Sequence, residues 1–229
     1  DDAEEAQIKI TVTAKAGGKT EYFLTIVRKE IFGDWVTKSS ATVFSPAIQV
    51  RTSNLGNQEE RTVGKKLTPT VKLSVTSIPL KVKQSTTKVK VSGLAKGDSV
   101  KSWSSSDKKI ATVTSSGKIT GKKAGKAKIT VTLKSGKKAV ANVTVQKTAV
   151  KTTKISGLKS KETLKKGRKL VLKPVLSPVT SQDKVTYASS NKKVATVSKN
   201  GTVVAKKKGT AKITVKSGTK KYTIKVTVK

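Results

Sequence analysis

The stretch Ser105–Val113 reads SSDKKIATV, and 84 residues later Ser189–Val197 reads SSNKKVATV. Only Asp107/Asn191 and Ile110/Val194 differ. The register holds well beyond the phrase. Trp103 falls opposite Tyr187, Gly117 opposite Gly201 and Gly125 opposite Gly209, and Ala127–Val131 matches Ala211–Val215 letter for letter. Past that point the spacing slips by two, so that Ser135-Gly136 answers Ser217-Gly218. A fixed period marks an array of like modules, and solenoid units usually take about 20–50 residues. A period of 84 is too long for a solenoid and suits a small domain with its own core.

Inside each copy, short apolar runs alternate with turns. Val71, Leu73 and Val75 alternate with polar residues, as do Val89 and Val91 before Ser92-Gly93. A turn at Ser115–Lys118 precedes Ile119, Lys122–Gly125 turns the chain into AKITVTL, and Ser135–Lys138 leads to VANVTV. The second copy runs through LVLKPVL, VTYAS, KVATVS, TVVA, AKITV and YTIKVTV, split by turns at Asn200-Gly201 and Ser217-Gly218. Asn-Gly is the strongest short-range hairpin signal. Short strands with a turn every 8–12 residues or so predict an all-β sandwich. No segment shows helical periodicity. Residues 147–154, KTAVKTTK, read as a link brief enough to favour a stiff connection.

Ahead of the repeats, residues 7–29 predict a β-hairpin. Ile8, Ile10 and Val12 alternate with polar residues, a Gly17-Gly18 turn follows, and Tyr22, Leu24 and Ile26 share a face. Phe32, Trp35 and Phe44 read as packing residues or an interdomain plug. Residues 54–66 are polar, contain glycine, and read as loop or linker. The expected domains are therefore 1–66, an N-terminal β-rich segment that is the end of a truncated domain plus linker, 67–147, the first repeat, and 148–229, the second.

Charge divides along the same line. Residues 1–66 hold ten Lys/Arg against nine Asp/Glu, whereas residues 67–229 hold forty against four: Asp98, Asp107, Glu162 and Asp183. Such a field draws anionic wall polymers, acidic glycans, nucleic acid or anionic head groups. Lysine on strand faces also keeps a β-rich array soluble and discourages edge pairing.

The pattern aromatic–x–Ser–Ser–Asp/Asn–x–x–Ile/Val–Ala–x–Val, then Gly, then Gly–x–Ala–x–Ile–x–Val and a final strand, resembles the bacterial immunoglobulin-like domain, group 2. Residues 103–145 and 187–228 carry it, and two modules would span residues 68–229. The resemblance implies tandem immunoglobulin-like β-sandwiches, preceded here by the hairpin-containing segment. It implies a structural role for Trp103, Asp107, Ile110, Ala111, Val113, Gly117 and Gly125, and for Tyr187, Asn191, Val194, Ala195, Val197, Gly201 and Gly209. Ala111/Ala195 and Val113/Val197 would point inward, and the glycines would serve turns. The first hairpin is similar to the last strands of a cadherin-like β-sandwich of bacterial surface proteins, through Ala14, Gly17, Tyr22 and Arg28. The rest of that domain would lie upstream, which makes the chain a fragment of a longer one.

Chemistry is scarce. The chain has no His and no Cys, so a Ser–His–Asp arrangement and thiol nucleophiles are excluded. Ser105–Lys108 spells S-x-x-K, but beside a strand rather than at a helix start. Asp1-Asp2 and Glu59-Glu60 are adjacent in polar stretches and read as solvated charge, not as carboxyls facing across a pocket. Four scattered acids among the repeats predict no calcium between modules. Asp107/Asn191 reads as an Asx-turn cap rather than a ligand. Residues 121–126 are rich in glycine and lysine, yet no helix follows to receive a phosphate. In the repeats, Trp103, Tyr187 and Tyr222 are the only aromatics and Arg168 the only arginine, so dedicated nucleic-acid binding is not expected.

The sequence is thus expected to be a non-enzymatic stalk or anchor without cofactor, metal site or transmembrane segment. It would be extracellular, on a bacterial surface or secreted, holding anionic wall polymer or acidic glycan beside further sandwich modules. A phage tail or capsid protein displaying such modules on the virion surface is the alternative setting, and non-specific nucleic-acid binding is a minor alternative.

Overall fold

The computed structural model describes residues 4–229, all strand, turn and loop without a helix. Two compact units are formed. One comprises the residues up to Pro69 together with Ala95–Asp98, and the other Thr70–Leu94 together with Ser99–Lys229.

The first unit contains a long hairpin of β1 (Glu4–Thr13) and β2 (Lys19–Arg28). The register sets Ile8 opposite Leu24 and Ile10 opposite Tyr22, as the alternation requires. It also contains an antiparallel sheet of β3 (Val36–Ser39), β4 (Ala47–Thr52) and β5 (Gln58–Val63). Strand β5 occupies ground that the sequence presents as a linker. Its residues QEERTV are exposed on both faces, so no apolar stripe announces them. Polar partners hold it instead: Arg51 faces Glu59 and Gln49 faces Arg61 across the β4–β5 ladder. The aromatics here are not a buried plug either. Phe44 is exposed, and Phe32 and Trp35 are half-buried beneath guanidinium groups, with Arg51 4.6 Å from the Phe32 ring and 4.8 Å from Trp35.

The second unit contains the strands of both repeats, while residues 67–69 and 95–98 of the expected first repeat fall in the first unit; the two repeats fold alike. The first repeat has a four-stranded sheet in the order β10 (Val100–Ser105), β13 (Gly125–Leu133), β14 (Lys138–Gln146), β7 (Ser77–Lys81), with β7 parallel to β14. Against it stands a three-stranded sheet of β11 (Ala111–Val113), β12 (Ile119–Gly121) and β8 (Ser85–Thr86). A two-stranded pair of β6 (Lys72–Leu73) and β9 (Val91–Ser92) completes it.

In the second repeat the orders are β19 (Val185–Ser189), β22 (Gly209–Ser217), β23 (Lys220–Val228), β16 (Lys161–Leu164) and β20 (Ala195–Val197), β21 (Thr202–Ala205), β17 (Lys169–Val171). The pair is β15 (Lys154–Ser156) with β18 (Val175–Ser177). Period-two alternation turns Ile129, Val131, Leu133, Ala141 and Val143 into the first core, and Ile213, Val215, Ile224, Val226 and Val228 into the second. Each such Ile, Leu or Val side chain removed from water contributes about 1.5–3 kcal/mol. Pro79 lies on β7, an edge strand, where a missing N–H breaks no ladder.

The two-residue slip in the repeat has a structural cause. Residues 134–137 close the β13–β14 hairpin, while Gly218-Thr219 alone closes β22–β23. The link between repeats is also shorter than the sequence suggests. Val150 and Thr152 are buried, Gln182 donates its backbone N–H to the Val150 carbonyl, and Thr153 donates to Ser177, so residues from 150 onward belong to the second repeat.

Candidate functional site: the repeated motif and the junction

The shared phrase forms the same hydrogen-bonded corner in both repeats. Ser105 Oγ donates to the Ala111 carbonyl (2.7 Å) and accepts from the Asp107 N–H (3.3 Å); Ser189 does so with Ala195 (2.6 Å) and Asn191 (3.2 Å). Asp107 Oδ1 accepts the Lys109 N–H at 2.8 Å, and Asn191 Oδ1 accepts that of Lys193 at 3.1 Å. This is an Asx-turn, which uses only an acceptor oxygen, so Asp and Asn serve equally. The following serines stitch the corner to the long strands: Ser106 Oγ accepts the Lys128 N–H and Ser190 Oγ that of Lys212, each at 2.8 Å. The Ser105 hydroxyl is thus engaged with backbone and not with the Lys108 amine. The corner serines belong to the repeated phrase, but their stitching role was not legible from it.

The corner sets the motif's apolar members. Ala111 and Ala195 are fully buried, while Val113 and Val197 are half-buried. Ile110 rests on Gly125 and Val194 on Gly209, the glycines that open β13 and β22 at φ +152° and +143°. A β-carbon on Gly125 would stand 2.7 Å from Ile110 Cδ1. Trp103 lies over Gly117 and Tyr187 over Gly201 in the same way. Burial raises the Tyr187 hydroxyl above its ordinary range. The fourteen motif residues come together as two matched clusters, one per repeat, and no cluster draws from both.

A second polar cluster, absent from the sequence reading, closes one end of the second repeat. Fully buried Ser217 stands where the first repeat has Leu133, each opposite the first residue of its neighbouring strand, Val185 or Val100. Ser217 shares a hydrogen bond with Thr152 (2.8 Å), which also meets Ser181 (2.7 Å). Asp183 accepts the Thr152 N–H at 2.6 Å, and Lys151 stands 3.4 Å away. That backbone bond first, with Lys151 assisting, holds the Asp183 carboxyl below the usual carboxylate range.

At the junction, Gln84 accepts the Lys81 N–H through Oε1 and donates through Nε2 to the Thr180 carbonyl (2.7 Å). Thr180 returns its hydroxyl to the Pro79 carbonyl (2.5 Å), and Lys88 donates to Val179 (2.8 Å). Lys83 adopts φ +68° in the turn that presents Gln84. It is the one non-glycine residue with positive φ among the described residues.

Chemically these arrangements are hydroxyls, amides, an ammonium group and the Asp107 and Asp183 carboxylates, bonded mostly to backbone. A groove of about 610 Å³ on the first repeat is lined by Ser106, Lys126, Lys128, Asn142 and Thr144, without a carboxylate. Among the described residues no three Asp or Glu side chains gather as metal ligands do.

The family model for the bacterial Ig-like domain, group 2, matches residues 68–145 and again 139–228. The chain belongs to this family. The two bacterial Ig-like modules stand in tandem and account for the paired topology and paired corners. Solved structures similar to the chain include the S-layer protein SbsC domains 4 and 5, at 19% identity and a TM-score of 0.34, covering 85% of this chain and 98% of that one. Surface layer protein SbsC domains 1–6 is similar at 18% identity and a TM-score of 0.33, over 98% of this chain and 38% of that one. Human protocadherin-24 EC1-2 is similar at 12% identity and a TM-score of 0.26, over 69% and 97%. No curated protein matches the sequence.

Proposed function

We propose that the chain is a non-catalytic structural and adhesive module of a bacterial surface or secreted protein. Its two Ig-like repeats form a stalk or anchor that holds anionic wall polymer or acidic glycan, alongside neighbouring modules of a longer parent chain. The observation that carries this reading is a division of labour. The motif residues are consumed in building each sandwich, and the charge left to water is nearly all lysine, forty basic residues against four acids over 67–229. Family membership supports the structural half of the reading, and the charge supports the adhesive half.

Sedimentation with purified cell walls tests it. The full chain is expected to pellet with walls at low salt, to be released as salt rises, and to stay in solution with walls stripped of anionic polymer. Equal pelleting with stripped walls would overturn the adhesive half.

A further inference from the structure

The outward face of the second repeat's four-stranded sheet has a composition its partner lacks. Lys212 pairs directly with Lys225, and Lys216 with Lys221; Thr210 pairs with Thr227, and Thr214 with Thr223. On the flanks, Lys161 pairs with Lys225, Thr163 with Thr227, Thr186 with Lys216 and Ala188 with Thr214. The face is therefore five lysines, six threonines and one alanine, with no acidic and no aromatic residue among them. Lys161, Lys225 and Lys212 form a row across three strands, and at about 4.8 Å between strands it spans roughly 10 Å. All five lysines are exposed.

The equivalent sheet of the first repeat has the same strand order and no lysine opposite a lysine. There Lys126 meets Thr144, Lys128 meets Asn142, Thr132 meets Lys138 and Ser77 meets Asn142. Like charges set directly opposite each other destabilise a sheet. Solubility alone asks only for lysine, not for lysine against lysine, since diagonal placement would keep the net charge without the repulsion. A bound line of negative charge relieves that repulsion.

We infer that this face is a docking surface for a linear polyol-phosphate chain of the wall-polymer type, a reading that rests on the proposed adhesive function and narrows it to one surface. The ammonium groups are point charges suited to phosphodiesters and need no planar fork. Threonine hydroxyls between the lysine rows can hydrogen-bond polyol hydroxyls. The face offers no aromatic for a base to stack on and no arginine to read base edges, which sets nucleic acid aside. It repeats lysine and threonine from strand to strand, so binding gains from many weak contacts along one polymer rather than from a closed pocket.

The test uses the full chain, soluble poly(glycerol phosphate), hyaluronate and duplex DNA across a salt series. The face variant carries Lys212→Gln, Lys216→Gln, Lys221→Gln and Lys225→Gln. A charge-matched control carries Lys81→Gln, Lys126→Gln, Lys128→Gln and Lys138→Gln on the first repeat. The face variant is expected to weaken poly(glycerol phosphate) binding at least about tenfold and to flatten the log K against log salt slope by about 3, since each lost contact removes about 0.7–0.9. The control is expected to change affinity less than about threefold, because its lysines do not share a row. Equal weakening by both variants would overturn the docking face while leaving diffuse adhesion standing. No binding by the unsubstituted chain at low salt would overturn the adhesive reading itself. Tighter binding of DNA or hyaluronate through the same lysines would overturn the assigned partner. If the quadruple variant does not fold, Lys212→Thr with Lys225→Thr, which copies the sheet's own threonine pairs, is expected to give half the slope change, and an unchanged slope would overturn the face.

Discussion

The ring of Tyr187 lies so close over Gly201 that a β-carbon there would stand 2.8 Å from Tyr187 Cζ, with the Leu172 carbonyl at 3.1 Å. Gly201 also holds φ +79°. Two penalties therefore fall on Gly201→Ala, a left-handed backbone costing about 1–2 kcal/mol and an overpacked contact costing about 1–3 kcal/mol. Gly136, at φ +87° with open space around it, carries only the first. Calorimetric unfolding is expected to show Gly201→Ala losing about 2–5 kcal/mol and Gly136→Ala about 1–2 kcal/mol. Equal losses would show that the ring places no demand on the glycine.

Asp107 and Asn191 occupy one role through one acceptor oxygen. Asp107→Asn and Asn191→Asp are each expected to change stability by less than about 0.5 kcal/mol, whereas Ser189→Ala strands the Ala195 carbonyl and loses about 1–2 kcal/mol. Denaturant midpoints of the three variants check the order.

Asp183 gives the second repeat a pH dependence with a definite sign. Its folded carboxyl titrates below its unfolded value, so its contribution is fully present above the ordinary carboxylate range and is lost as pH falls through the lower, folded value. Asp183→Asn is expected to be less stable than the unsubstituted chain at pH 7, with the difference closing as the pH falls below about 4. Melting curves at pH 7, 4 and 2.5 read this directly, and a difference that widens on acidification would reverse the assignment.

At the junction, Gln84 and Thr180 tie the repeats through backbone carbonyls on opposite sides. Thr180→Val keeps the shape, removes the hydroxyl bond to Pro79, and is expected to cost about 1 kcal/mol. Residual dipolar couplings are expected to show one shared alignment for both repeats in the unsubstituted chain and two distinct ones in the Gln84→Ala/Thr180→Val double variant. A single alignment retained by the double variant would leave these bonds without a mechanical role.

Much of the second unit was legible because each repeat buries one strand face: Ile129 and Val131, like Ile213 and Val215, leave a period-two trace, and the duplicated phrase marks the two copies. Strand β5 left no trace because Glu59 and Arg61 are held by polar partners and bury nothing. The junction was invisible for another reason: Gln84 and Thr180 are 96 residues apart and their bond uses a carbonyl that any residue would supply. Lysine against lysine was also hidden. The Thr/Lys alternation is plain in the sequence, but which lysines meet depends on register, and the short Gly218-Thr219 turn sets that register.

The proposed adhesion of this bacterial Ig-like pair depends on its charge. The most direct measurement is the affinity of the full chain for soluble poly(glycerol phosphate) by fluorescence anisotropy at a series of sodium chloride concentrations. Charge-driven adhesion is expected to give a straight fall of log K with log salt whose slope reports several released counterions. A flat line, or no association at the lowest salt, would contradict it.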